Sequence, residues 1–446
     1  MPWYKKYKSS AIFLVALVIF LIVMVIVFIP RGEPAPEPTP TPTPKPTSAI
    51  TPEPTIPPTP RPDKYTEITF LTAGDIMYHR PQIRVAATNS SWSEGDYTPN
   101  MKYVKSIVEA ADFATANLET VYGGPEIGYT QAQFPLFNAP DCTADSIAWA
   151  GFDLLFTANN HCYDRGHNGI IRTLDVLDAK GLDHIGTRKS TEERTYKVVD
   201  VKGTKLGLMD FTYESGTDSE TVRINGNSIN PNDVTLIDSF DENNPQSLYD
   251  RVQTRMQEMK GEGADLIIVY LHWGVEYDLN PSTQQNEIAQ KLCDMGVDAI
   301  IASHPHVIQP VKVITSTDGT RTMPCIFSMG NYISNQTRDR VAQEAHGNAR
   351  HCENGIMPIF TIRKYSNGET YITNIQYYST WVKIGNQYYI IPVEPALSDP
   401  GAYGLDNAGE INVTKQMVDN IVKEGIDEFN ALWNDPYPFS EKVDAA

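Results

Sequence analysis

The chain has 446 residues, 41% of them hydrophobic, which is enough apolar material for one large domain or two ordinary ones. A formal net charge of −19 excludes nucleic acid as a partner, because such a partner needs a basic footprint. Five irregularly spaced cysteines without a C-x-x-C exclude a disulfide framework or a zinc knuckle.

In chain order, residues 1–10 form a short tail that carries Lys5, Lys6 and Lys8. Residues 11–29 are apolar throughout and uncharged. At a rise of about 1.5 Å per residue they span about 28 Å, close to a hydrocarbon core of about 30 Å. The segment reads as an uncleaved transmembrane anchor. A signal peptide has a shorter apolar region, of about 7–15 residues, and Ile29-Pro30-Arg31 is a poor cleavage site. The preceding lysines predict a cytoplasmic N-terminus, with the bulk extracellular at the cell membrane. Residues 30–63 hold fourteen prolines and predict a semi-rigid polyproline-like linker of up to roughly 100 Å.

The folded part begins near Lys64. Six apolar runs each end in polar residues, as buried strands do when they leave a core. Residues 68–73 end in Gly74-Asp75, and residues 113–116 in Asn117-Leu118-Glu119. Residues 152–156 lead to Asn159-Asn160-His161, with Asp164 beyond. Residues 266–271 end in His272-Trp273-Gly274, 298–302 in His304-Pro305-His306, and 325–329 in Gly330-Asn331. Helical stretches are expected at 100–110, 143–150, 167–180, 246–260 and 283–295. The alternation predicts parallel strands with right-handed crossovers, and ligands gather outside the carboxyl ends of such strands. Residues 213–244 read as a long surface loop, either a lid or a plain insertion. After Asn335 two hairpins are expected, turning at Asn367-Gly368 and Gly385-Asn386. A final helix over 415–433 should turn Met417, Ile421, Ile426, Phe429 and Trp433 inward.

Period two puts His304 and His306 on one face, where paired imidazoles suit a divalent transition metal, manganese or zinc. His272 is a third nitrogen candidate, and Asp75, Glu119 and Asn160 are oxygen candidates. Any one of these alone reads as a turn former, a helix cap or a surface histidine. Six at strand tips point to one shared site. Asn159-Asn160-His161 with Asp164 resembles a metallophosphoesterase arrangement, which implies that the Asn binds metal and His161 donates a proton or hydrogen bond, with Asp164 either orienting it or capping the next helix. Glu276 is open as base, ligand or surface charge. Tyr277, Gln309 and Asn331 are expected to line the pocket. Arg80 is expected to steady a carboxylate or phosphate, or to form an ordinary salt bridge. No G-x-S-x-G elbow is present. Cys162 beside His161 is a poor thiol nucleophile, because adjacent side chains on a strand end diverge.

These six ordered motifs, from Gly74-Asp75-Ile76-Met77 with Arg80 through Ser328-Met329-Gly330-Asn331-Tyr332, resemble the CapA family. That family comprises capsule-biosynthesis and poly-γ-glutamate synthesis proteins of a wider metallophosphatase-like group. The resemblance covers roughly residues 65–336, and domain bounds of 64–336 follow, with 337–446 completing the same body. It implies an α/β fold, a four-layer αββα sandwich. It also implies a Gram-positive membrane machine in which polyglutamate synthase or export proteins and an anionic polymer or cell-wall component are the partners. Phosphatases of the wider group usually have Asp-x-His in the first motif, where Ile76-Met77 follows Asp75 here, and an aspartate where Glu119 stands. One metal position therefore lacks a nitrogen ligand that those phosphatases have. Three functions follow from the resemblance: a component of polymer synthesis or export, a metal-dependent hydrolase of a phosphoester or cell-wall amide, and a non-catalytic scaffold.

Overall fold

Apolar runs that are buried on both faces build the centre of the molecule. The computed structural model describes residues 62–130, 136–216 and 221–445, and residues from Pro60 to Ala446 fall in one compact unit. The expected anchor at 11–29, and the linker up to residue 61, lie outside the described residues. Among the described residues no helix is long and apolar enough to cross a membrane.

β1 (Lys64–Ile76) leads into α1 (Arg80–Ala86), the single turns α2 (Thr98–Met101) and α3 (Lys105–Val108), and β2 (Phe113–Leu118). α4 (Cys142–Ala150), β3 (Leu154–Phe156), α5 (Gly166–Ala179) and β4 (Asp183–Ile185) complete a parallel run β1-β2-β3-β4. A second sheet starts with β5 (Lys197–Val201) and β6 (Thr204–Tyr213), followed by the small hairpin β7 (Arg223–Ile224) and β8 (Asn227–Ser228) and then β9 (Ser239–Phe240). α6 (Gln246–Gly261), β10 (Leu266–His272), α7 (Thr283–Met295), β11 (Ala299–Ser303), β12 (Ile308–Thr315) and β13 (Thr322–Met329) come next. The second sheet has the order β12-β13-β11-β10-β6-β5, with β9 on β6. The chain returns to the first sheet through β14 (Asn331–Ile333), β15 (Asn354–Tyr365), β16 (Thr370–Ile384) and β17 (Tyr388–Pro392). α8 (Val393–Ser398), α9 (Gly409–Leu432) and the short β18 (Glu441–Lys442) end it. The first sheet has the order β17-β16-β15-β1-β2-β3-β4, with β14 and β18 on β1.

Period two divides each central strand between two cores. Ile268 and Tyr270 of β10 face the first sheet's Ile68, Phe70 and Phe156. Ile267, Val269 and Leu271 face the opposite way, onto Val252 and Met259 of α6 and Ile288 and Leu292 of α7. Leu71, Ala114 and Leu155 likewise pack on Ile147 of α4 and Leu174 of α5. The layers are therefore helices, sheet, sheet and helices, a mixed α/β sandwich. The Phe156 and Tyr270 rings stack across the middle at 4.3 Å, which ties the two sheets together near the rim that carries the polar tips.

The structure differs from the sequence reading in several stretches: the helix expected at 100–110 is the two single turns α2 and α3, and the stretch 213–244 contains β7, β8 and β9. The two expected hairpins share one continuous strand, β16, which pairs first with β15 and then with β17. The last helix starts at Gly409, and its buried stripe is Ile411, Val418, Val422, Ile426 and Phe429, with Met417 and Ile421 only half-buried. Gly425 explains the rotation: a Cβ there would lie 1.8 Å from the Val311 carbonyl oxygen, so the helix approaches β12 along its glycine. α7 ends as its sequence dictates. Ser282 and Gln285 form a reciprocal capping box, and Gly296 closes the helix at φ 101°. All five cysteines are free thiols.

Candidate metal centre

β1 and β2, running parallel, bring Asp75 and Asn117 side by side, and Glu119 follows at the next turn. The close approach at β1 requires a glycine: a Cβ on Gly74 would lie 1.9 Å from the Gly330 carbonyl oxygen. Asn159, Asn160 and His161 leave β3, with Asp210 of β6 fixing that tip by accepting from the Thr157 and Ala158 amides at 2.9 and 2.8 Å. From the second sheet, β10 ends in His272, and β11 leads into His304 and His306. The two sheets thus contribute carboxylates and imidazoles from opposite sides of one rim.

Asp75, Glu119, Asn160, His272, His304 and His306 are all buried and meet at this rim. Glu119 is central. Its Oε1 lies 3.7 Å from Nε2 of both His272 and His306, and 3.9 Å from Nε2 of His161. Among the described residues neither Glu119 carboxylate oxygen has a hydrogen-bond partner. His304 Nδ1 lies 3.2 Å from His272 Nε2, which also lies 2.9 Å from Asn160 Oδ1. Among the described residues two groups could hold a metal ion, one of Glu119, His272 and His304 and one of Asp75, Glu119 and His306, and they share Glu119. In the second group His306 Nδ1 lies 3.6 Å from Asp75 Oδ2.

The electrostatics match this donor set. Burial, with help from the Asp75 carboxylate, pushes the Glu119 carboxyl well above the usual carboxylate range. Burial, with neighbouring His306, holds the His304 imidazole well below its ordinary value, and His272 likewise, with His304 as its neighbour. Burial also works against protonated His306, but Asp75 and Glu276 outweigh it and raise that group. Two imidazoles held neutral, His272 and His304, beside a buried carboxylate with no donors are what a divalent cation would satisfy. The backbone is strained here as well. His304, His306 and Tyr277 have φ of 107°, 56° and 65°, conformations that persist only where surroundings enforce them and that gather at functional sites.

The remaining site residues fall into separate places. His161 Nδ1 lies 2.7 Å from Asp164 Oδ2, which also accepts from the Phe137 amide at 2.5 Å. Asn331 positions His306: its Oδ1 lies 3.2 Å from His306 Nδ1, while its amide nitrogen donates to Gln336 and to the Cys352 carbonyl. Arg80, Glu276 and Tyr277 line a cleft of about 780 Å³ into which His161 and His306 also open. Gln309 does not line it. Its amide nitrogen donates to the Asp278 and Asn280 carbonyls, and its oxygen accepts from Gln285, so it secures a loop.

Several lining residues carried no sequence signal. Phe137 packs its ring between those of His79 and His161, with centroids at 5.0 and 4.5 Å. Burial pushes the His79 imidazole down to about 3, so it is neutral, and its Nδ1 accepts from the Asn335 amide. The 213–244 stretch places Asn225 and Asn227, at the tip of the β7–β8 hairpin, in the cleft wall. The opposite wall, with Asp339, Arg340 and Glu344, is held by Arg338, which forks onto Glu353 at 3.0 and 2.6 Å and also reaches Glu410 of α9.

Two sheets packed face to face between helices, with a buried carboxylate–histidine centre at the strand tips, define an α/β sandwich protein. The bacterial capsule synthesis protein PGA_cap family model matches residues 69–336, and the chain belongs to that family. The capsule biosynthesis protein CapA of Bacillus anthracis is 27% identical over 282 residues, covering 63% of this chain and 62% of that one. The PGA biosynthesis protein CapA of Bacillus subtilis (strain 168) is 27% identical over 252 residues, 55% of this chain and 60% of that one. The matches thus span about six tenths of these relatives' lengths. The solved sulfate thiohydrolase SoxB of Thermus thermophilus, in complex with glycerol, aligns over 81% of this chain and 61% of its own at 13% identity. Its TM-score of 0.37 is too low to carry an argument.

Proposed function

We propose that this chain is a membrane-anchored, extracellular component of poly-γ-glutamate capsule synthesis or export that works through a divalent-metal centre at its strand tips. The observation that carries the metal reading is Glu119, a fully buried carboxylate with no hydrogen-bond donor, shared by two histidine-containing groups. Asp75, Glu119, Asn160, His272, His304 and His306 would hold the metal, and mixed nitrogen and oxygen donors favour manganese or zinc. Bound there, a divalent cation supplies Lewis acidity toward an anionic or carbonyl oxygen. Asn331 holds the His306 ring, and Asp164 holds His161 with its Nε2 toward the centre. The polymer assignment rests on family membership and on the printed names of the Bacillus relatives. The anchoring rests on residues 11–29 and the lysines before them.

A complementation assay tests this reading. Gram-positive cells that lack the native protein but carry the matching synthase proteins should regain polymer with the wild-type chain. They should not regain it with His304→Ala/His306→Ala present at equal level. Equal polymer from both chains would leave a non-catalytic scaffold as the better account.

The His161–Asp164 pair at the edge of the cleft favours a second reading, a metal-dependent hydrolase. A carboxylate on Nδ1 leaves Nε2 as the atom that faces a reacting group. Under that reading His161→Ala lowers hydrolysis of a generic phosphodiester by about 10²–10⁴-fold while the metal stays bound. Full activity in His161→Ala, or background rates equal to those of the His304→Ala/His306→Ala chain, would remove it.

A further inference from the structure

The geometry points to an order in which the two ligand groups fill. The Asp75–Glu119–His306 group is set to take the first divalent cation, and Asn117, a positioning residue, holds the Glu119–His272–His304 group back. The inference rests on the metal reading above, and it adds which half of the centre is ready and which residue makes the difference.

A neutral imidazole ligates through one ring nitrogen only when the other carries the proton, so the group facing that other nitrogen decides whether the ring is ready. His306 and His272 meet opposite partners there. His306 Nδ1 faces Asn331 Oδ1 at 3.2 Å. That end of Asn331 is its oxygen, because its nitrogen donates to the Gln336 side chain and to the Cys352 carbonyl, both at 2.9 Å. His306 therefore donates from Nδ1 and leaves Nε2 toward Glu119 Oε1, 3.7 Å away.

His272 Nδ1 faces a donor instead. The nitrogen of Asn117, a fully buried residue of β2, lies 3.3 Å from it and 2.7 Å from Asp75 Oδ1. Asn117 thus touches one unshared member of each group. Its orientation is fixed from behind. Its oxygen accepts from Asn159 Nδ2 at 3.2 Å, and Asn159 is held by two backbone groups. The Asn159 nitrogen donates to the Leu118 carbonyl at 2.8 Å, and its oxygen accepts from the His161 amide at 3.1 Å. Turning Asn117 over would set its oxygen against the Asp75 carboxylate and its nitrogen against that of Asn159.

The two hydrogens of the Asn117 nitrogen therefore serve Asp75 and His272. His272 accepts at Nδ1 and carries its own proton on Nε2, where Asn160 Oδ1 accepts it at 2.9 Å. Donation runs one way through four buried side chains, from Asn159 to Asn117 to His272 to Asn160. It puts a hydrogen on the nitrogen that faces Glu119 Oε1 at 3.7 Å, where that group needs a lone pair. For the group to bind, His272 must release the Nε2 proton to solvent, take one up at Nδ1 and displace the Asn117 amide.

Two measurements on the full-length chain in detergent test this. In chelator, magnetic resonance of the chain with isotope-labelled histidine should show His272 protonated on Nε2 and His306 protonated on Nδ1, each signal assigned from its alanine variant. A His272 ring protonated on Nδ1 would overturn the proposal. Zinc titrations are the second measurement. His304→Ala should bind its ion as tightly as the wild type binds its first, and His306→Ala should bind about 10–100-fold more weakly. Adding Asn117→Ala to His306→Ala should recover about tenfold of that loss, a gain that removing a merely structural residue does not give. Equal affinity in the two single variants, the reverse order, or a further loss on adding Asn117→Ala would each overturn the filling order. Circular dichroism checks folding, and if the Asn117→Ala chain does not fold, the wild-type protonation pattern and the single histidine variants decide. The expected protonation pattern in a wild type that binds no zinc would remove the metal reading and the filling order with it. Bound zinc with His272 protonated on Nδ1 would remove this inference alone.

Discussion

Replacing both His304 and His306 by alanine should leave the purified chain without bound divalent metal, whereas the wild type dialysed against manganese or zinc retains it. The two ligand groups overlap at Glu119 but differ in their histidines, with His304 in one and His306 in the other. The double variant therefore breaks both groups, and a single variant breaks one. If two ions bind, His304→Ala should keep the ion held with Asp75 and His306, and the stoichiometry should halve. Asn331→Ala gives a graded control. Asn331 touches only the His306 ring and protein groups, so its loss should weaken affinity by about 10–100-fold without abolishing binding. Elemental analysis with circular dichroism on the same samples checks both metal and folding. A folded double variant with unchanged metal content would remove the centre proposed here.

The positions most legible in the sequence were those where hydrophobicity switches abruptly. Asp75, Glu119, Asn160, His272, His304 and His306 all follow apolar runs. An apolar strand ending in a hydrogen-bonding side chain is a local signal, and the sheets then bring the ends together. What the sequence concealed depends on contacts between distant segments. His79 lies only four residues beyond Asp75, but its place in the cleft is set by Asn335 and Phe137. Arg340 and Glu344 sit in a polar stretch without periodicity, and their position is enforced by Arg338 on Glu353 and Glu410. Gln309 shows the converse failure. A polar residue three beyond His306 resembles a pocket residue, yet its amide is consumed by the loop carbonyls at Asp278 and Asn280. Ile426 and Phe429 of the α9 stripe are buried as expected, but the stripe was misread by one position at Met417 and Ile421, because hydrophobicity alone ranks them as well as Val418 and Val422. The deciding residue is Gly425, whose contribution is the side chain it lacks.

Glu119→Gln should invert in its effect on stability between metal-free and metal-loaded protein. Without metal, Glu119 is a fully buried carboxyl whose two oxygens have no donor among the described residues, beside the His272 and His304 imidazoles that burial keeps neutral. Such a group costs the fold, and burial raises its pKa well above the ordinary value. A raised carboxyl pKa means that the folded state binds more protons than the unfolded state, so stability falls as pH rises above about 4.3, the unfolded value. The chelated wild type should therefore lose stability from that pH upward, and Glu119→Gln, which cannot ionise and whose amide can donate to the nearby ring nitrogens and Asp75, should not. At pH 7 in chelator the variant should be more stable by about 1–3 kcal/mol. With metal the order reverses. Saturation at about a thousand times Kd stabilises the wild type by about 4 kcal/mol, and the variant, lacking the carboxylate common to both groups, gains little of it. Thermal melts of the two chains, in chelator and in excess manganese or zinc, at pH 5 and pH 7, measure all of this. A variant less stable than wild type in chelator would mean that Glu119 has a protein partner in the folded state. A variant that gains as much from metal as wild type would mean that Glu119 is no ligand. The inversion requires both of its properties together, a carboxylate with no protein donor and a place shared by the two histidine groups.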